Sequence, residues 1–144
     1  MLKIPFNKPY STGNELIYIR DAINRGHISG NGYYTKKCQN FFQERYGFKK
    51  CLLTTSCTDA LEMAAILIDT KPGDEIILPS YTFVSTANAF VLRGAKLIFC
   101  DSRMDHPGLD EDKIEDLITD KTKAIVPVHY AGVACDMDKI MSIA

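Results

Sequence analysis

Hydrophobic positions along this chain follow two rhythms. Four short runs are continuous and rich in β-branched residues: Cys51 to Thr54, Glu75 to Leu78, Lys96 to Cys100 and Ala124 to Val128. Runs that do not alternate with polar residues predict strands covered on both faces. Between them the spacing turns helical. Ala60, Leu61, Ala64, Ala65 and Ile68 predict a helix over 60–68, with Ser56 and Asp59 as its capping box and Pro72-Gly73-Asp74 closing the unit. Phe83 to Leu92 predicts a second helix, stopped near Gly94. Ile114, Leu117 and Ile118 form a third stripe, and Asp110, Glu111 and Asp112 put negative charge on its first turn, where the helix dipole favours it. Strand and helix alternating through short loops predict an α/β fold: a mostly parallel sheet with helices on both faces.

The first fifty residues read differently. Thr12 with Glu15 predicts the cap of a helix whose Leu16, Ile19 and Ile23 share a face. A glycine-rich loop, Gly26 to Gly32, follows, and then a helix carrying Cys38, Phe41 and Phe42. Residues 1–50 are expected to be an arm leading into the sheet of 51–144, within one domain over 1–144. Asp136 to Ala144 reads as a helix just beginning, and four strands would leave an exposed sheet edge, so the chain is expected to be the front part of a larger protein.

Composition narrows the function classes. At 144 residues, with 46% hydrophobic and 24% charged positions, the chain suits one globular core and not disorder. Seventeen basic against eighteen acidic residues give no electrostatic reason to expect nucleic acid or an anionic membrane. Apolar runs as short as Ala89 to Leu92 give no membrane span, and the N-terminus has no signal-peptide core. Five cysteines (Cys38, Cys51, Cys57, Cys100 and Cys135) without a C-x-x-C pair suggest neither zinc nor disulfides, and a cytoplasmic location is expected.

Three loops carry candidate chemistry, each following a predicted strand. Thr54 to Leu61 opens a helix with small hydroxyl residues, an arrangement that suits an anion or a plain helix cap at Ser56. It is neither of the glycine fingerprints for nucleotides. Pro79 to Ala89 brings aromatics and hydroxyls. Phe83 or Tyr81 could stack on a flat ring, or be core residues at a helix start, the latter favoured for Tyr81. Pro127 to Asp138 contains His129, as an acid/base or as a hydrogen-bonded residue at a strand end. All three are expected on one edge of the sheet, where doubly wound folds bind ligands.

In order, the segments IPFNKP, SGNGYYTKKCQ, LLTTSCTDALEMA, PGDEIILPSYTFVSTANAFVLRGAKLIFCD and KAIVPVHYAGVACDMD resemble the DegT family of sugar aminotransferases, pyridoxal 5'-phosphate (PLP) enzymes of the aspartate-aminotransferase fold. The resemblance implies the N-terminal part of a PLP-transferase large domain. It implies that Thr58 and Asp59, with Ser56 and Cys57, hold the PLP phosphate, that Phe83 stacks on the pyridine ring, and that Ser85 and His129 lie near it. His27, Ser29 and Asn31 would border a sugar-nucleotide pocket in a homodimer. The implied reaction moves an amino group from glutamate to the 4-keto carbon of a dTDP-sugar, for lipopolysaccharide or enterobacterial common antigen. The family's Schiff-base lysine and its acidic partner for the pyridinium nitrogen have no counterpart before Ala144, so the chain alone is expected to be inactive. Other readings are a PLP or sugar-nucleotide binding module without catalysis, a nucleotide-dependent oxidoreductase, and a structural fragment.

Overall fold

A computed structural model describes residues 3–5 and 7–144, so Phe6 of the IPFNKP segment lies outside the described residues. The chain divides into two compact units, Met1–Leu53 and Thr54–Ala144, described separately below.

The N-terminal unit holds helices α1 (Glu15–Asn24) and α2 (Tyr33–Tyr46). The start of α1 departs from the expected cap. Asn14 occupies the capping position, and Thr12 donates from its N–H to Glu15 Oε1 at 2.6 Å. With the Ser11 hydroxyl contributing most, these donors hold the Glu15 carboxyl down to about 2. The two helices meet where Tyr34 donates to Asp21 at 2.9 Å and the Arg25 guanidinium lies 3.8 Å over the Tyr33 ring. Neither helix buries a residue within this structure.

The C-terminal unit is built on a parallel sheet of β1 (Glu75–Pro79), β2 (Lys96–Cys100) and β3 (Thr122–Ile125), in the order β2-β1-β3. Central β1 is buried along its whole length. Its alternating side chains feed two cores, as strand geometry requires. Ile76 packs with Ala65 of α3 (Cys57–Leu67) and with Ala89 and Phe90 of α4 (Val84–Val91). On the opposite face, Ile77 packs with Cys100, with Ile114 of α5 (Ile114–Leu117) and with Ile140 of α6 (Met137–Ile143). Helices therefore cover both faces, as the continuous apolar runs predicted. Gly94, at φ +86°, lets α4 turn into β2: a Cβ there would stand 2.8 Å from Pro72 Cγ.

Three expectations fail locally. Cys51 to Thr54 is not a strand, and Leu52 and Leu53 are exposed. A strand exists only through its ladder, and among the described residues this run has no partner. The fourth run forms strand only over Thr122–Ile125, ending short of Pro127, which has no N–H to offer a ladder. The 114–118 stripe becomes a 3₁₀ turn, Glu111–Lys113, followed by the four-residue α5.

Candidate functional site

In a parallel sheet all strands end on one edge, and the segments leaving β1 and β3 do so here. The start of α3 is capped by Ser56, whose Oγ accepts from the Asp59 N–H at 3.1 Å. The Asp59 carboxylate accepts from the Thr55 hydroxyl, which with the Ser56 side chain lowers its pKa from the ordinary range. The Asp59 N–H expected at a phosphate is thus engaged by the cap. The N–H groups of Cys57 and Thr58 belong to the first turn, which has no intrahelical acceptors. Cys57 is exposed.

Two contacts bring the predicted loops together. Thr58 Oγ1 donates to Ser85 Oγ at 3.0 Å, joining the first turns of α3 and α4. The rings of Tyr81 and Tyr130 lie 4.6 Å apart, joining the segment after β1 to the one after β3. The core reading of the aromatics is overturned: Tyr81 is 53% and Phe83 73% exposed. Each lies between the end of β1 and the start of α4, and Phe83 is the extended capping residue of α4.

His129 is exposed, and its Nδ1 accepts from the Cys135 N–H at 3.2 Å, so the hydrogen-bonded reading holds for that nitrogen. Between these residues the backbone passes through left-handed conformations at Ala131 (φ 53°) and Gly132 (φ 81°). Glu111 anchors the far end of this loop: its Oε1 accepts from the Asp136 N–H at 2.7 Å and its Oε2 from Arg103 at 3.3 Å. Burial pushes the Glu111 carboxyl up, but the Asp136 N–H and Arg103 outweigh it and leave the pKa below the ordinary range. The acidic run Asp110 to Asp112 predicted negative charge on a first helical turn, and within it Glu111 is buried. The one available signal was its position next to buried Leu109 and Ile114, and that signal does not choose among three consecutive acids.

No lysine occurs in segments 54–61, 79–89 or 127–138. Lys96 opens β2, and Lys121 and Lys123 flank the start of β3, so all three sit at the opposite edge of the sheet.

In the N-terminal unit, His27 and Ser29 line a cavity of about 450 Å³ with Ile19, Ile23, Arg25 and Tyr33. The His27 Nε2–H donates to the Gly30 carbonyl at 3.1 Å. Asn31 stands in a left-handed conformation (φ 60°) beside this cavity's Gly32 and does not itself line it.

A parallel sheet covered on both faces, with hydroxyl-rich helix starts gathered at its C-terminal edge, is an α/β arrangement of the doubly wound kind. A family model described as the DegT/DnrJ/EryC1/StrS aminotransferase family matches residues 9–144, and the chain belongs to that family. It is 35% identical over 142 residues to GDP-perosamine synthase of Caulobacter vibrioides, covering 99% of this chain and 38% of that protein. Among solved structures, it resembles the aminotransferase from Psychrobacter cryohalolentis (TM-score 0.88, 31% identity, 97% of this chain and 36% of that one). It also resembles the PLP form of Spr1654 from Streptococcus pneumoniae (TM-score 0.86, 31% identity, 99% of this chain and 36% of that one). The chain thus spans well under half the length of the proteins it matches. The curated relative carries GDP in its name, whereas the resemblance implied a dTDP-sugar.

Proposed function

We propose that this chain is the cofactor-phosphate part of a PLP-dependent sugar-nucleotide aminotransferase. The observation that carries the reading is the Thr58–Ser85 bond, which gathers two helix starts and their hydroxyls at the ligand edge of the sheet. The residues present suit the cofactor. The first-turn N–H groups of Cys57 and Thr58, with the Ser56 and Thr58 hydroxyls, match a phosphate. Asp59 would contribute its N–H once Ser56 Oγ turned to the ligand. Exposed Phe83 offers a ring face for stacking, and Ser85 and His129 would supply polar atoms to the cofactor. When bound, PLP supplies the electron sink for moving an amino group.

The finer reading is amino transfer from glutamate to a 4-keto-sugar nucleotide for a cell-surface polysaccharide such as lipopolysaccharide, by a cytoplasmic homodimer. His27, Ser29 and Asn31 would serve the sugar nucleotide. The family resemblance implied a dTDP-linked sugar, and the relative's name puts a GDP-linked one beside it. The chain alone does not turn over, because the candidate segments hold no lysine for a Schiff base. That same feature favours a second reading, reversible PLP binding without catalysis.

Incubation of the chain with PLP, glutamate and either a dTDP- or a GDP-linked 4-keto-sugar is expected to give no aminated sugar. PLP absorbance is expected to titrate reversibly, and more weakly in Thr58→Ala. Amino transfer by the chain alone contradicts the inactivity, and PLP titration unaffected by Thr58→Ala contradicts the phosphate site.

A further inference from the structure

The loop after β3 is fastened at two consecutive amides. The Cys135 N–H reaches back to His129 Nδ1 at 3.2 Å, and the next N–H, that of Asp136, goes to Glu111 Oε1 at 2.7 Å. Glu111 is only 2% exposed, and its second oxygen is held by Arg103, which also grips Asp105 through two bonds at 2.8 and 2.9 Å. Cys135 is buried, with its thiol directed at the Val128 carbonyl 3.6 Å away. The space beside it is full: a Cβ on Gly108 would stand 2.6 Å from the His106 ring and 3.1 Å from Cys135 Sγ. Between the two fastened ends Ala131 holds a left-handed backbone, a conformation that persists only where its surroundings fix it.

We infer that Glu111 is a positioning residue: by holding the Asp136 N–H it fixes the neighbouring Cys135 N–H on His129 Nδ1, and so sets His129 as its Nε2–H tautomer. A neutral imidazole whose Nδ1 accepts a hydrogen bond carries its proton on Nε2. The ring then presents a donor at the C-terminal edge of the sheet. A group fixed as a donor there polarises or orients an acceptor on the ligand. That consequence rests on the PLP reading above, whereas the tautomer rests on the chain's own geometry.

Long-range ¹H–¹⁵N correlation spectra of the full 144-residue chain read the His129 tautomer directly. The wild type is expected to give a single Nε2–H pattern. Glu111→Ala removes the acceptor, and is expected to give mixed tautomers and to speed amide exchange at Cys135 and Asp136 about a hundredfold. Glu111→Gln keeps a neutral acceptor, and is expected to retain the Nε2–H pattern with exchange only about tenfold faster. An Nδ1–H or mixed wild-type ring overturns the inference, as does an unchanged tautomer and unchanged exchange in Glu111→Ala. Should the alanine variant not fold, Glu111→Gln decides: unchanged exchange at both amides overturns the inference. The readout uses no cofactor. Its failure leaves the PLP reading standing, and a failed PLP titration leaves the tautomer standing.

Discussion

The apolar positions of the N-terminal unit and those of the sheet unit are buried to very different degrees. Leu16, Ile19 and Ile23 of α1 are 76%, 55% and 58% exposed within this structure. Ile76 and Ile77 of β1, and Ile114 of α5, are fully buried. The difference lies in what each stripe faces. β1 has a strand on either side and a helix pair on each face, so consecutive side chains enter two separate cores. Periodicity therefore identifies an element, and only neighbours decide whether its stripe is buried.

The largest effect expected from this contrast is on stability. Ile77→Ala removes a side chain enclosed on every side and should cost about 2–5 kcal/mol in urea unfolding. Ile19→Ala, on an exposed stripe, should stay within about 0.5 kcal/mol. Equal losses at the two sites would break the comparison. Next in size is the cap of α3. Ser56→Ala leaves the Asp59 N–H without its acceptor and should cost about 1 kcal/mol, while Ser56→Gly should cost only a few tenths. Equal effects would mean that Ser56 does not cap.

A pH effect is expected at the start of β1. Lys96 at 2.9 Å, followed by Thr119 at 2.7 Å, lowers the Glu75 pKa at the start of β1. A carboxyl with a folded pKa below its unfolded value near 4.3 stabilises the fold above that pH, and this contribution fades as pH falls through the folded value. The gap in urea midpoint between the wild type and Glu75→Gln should thus be full at pH 6 and shrink below about pH 4. A gap that grows on acidification would contradict the pairing. The smallest effect is expected at Lys71, whose pair with Asp69 at 2.6 Å is well exposed on both sides. Lys71→Ala should change stability by less than about 0.5 kcal/mol.

Much of the sheet unit was legible in the sequence. The continuous runs at Glu75 to Leu78 and Lys96 to Cys100 became β1 and β2, and Ser56 marked the start of α3 within a residue. The gathering of loops at one edge followed from parallel topology and is seen in the Thr58–Ser85 and Tyr81–Tyr130 contacts. What escaped depended on tertiary neighbours. Leu52 and Leu53 look like strand residues, but no ladder partner lies among the described residues. Tyr81 and Phe83 have core-like chemistry, but occupy a turn that points them outward. Glu111 is one acid among three in a row, and only the fold chooses it for burial beside the Asp136 N–H.

The proposal that the start of α3 holds a cofactor phosphate is tested most directly by titrating the ¹⁵N-labelled chain with pyridoxamine phosphate, which carries the phosphate and ring but needs no Schiff base. Saturable shifts are expected at the Cys57, Thr58 and Asp59 amides, together with Ser85, and they should be lost in Thr58→Ala. Saturable shifts confined to other segments, or an α3 start that does not respond, would contradict it.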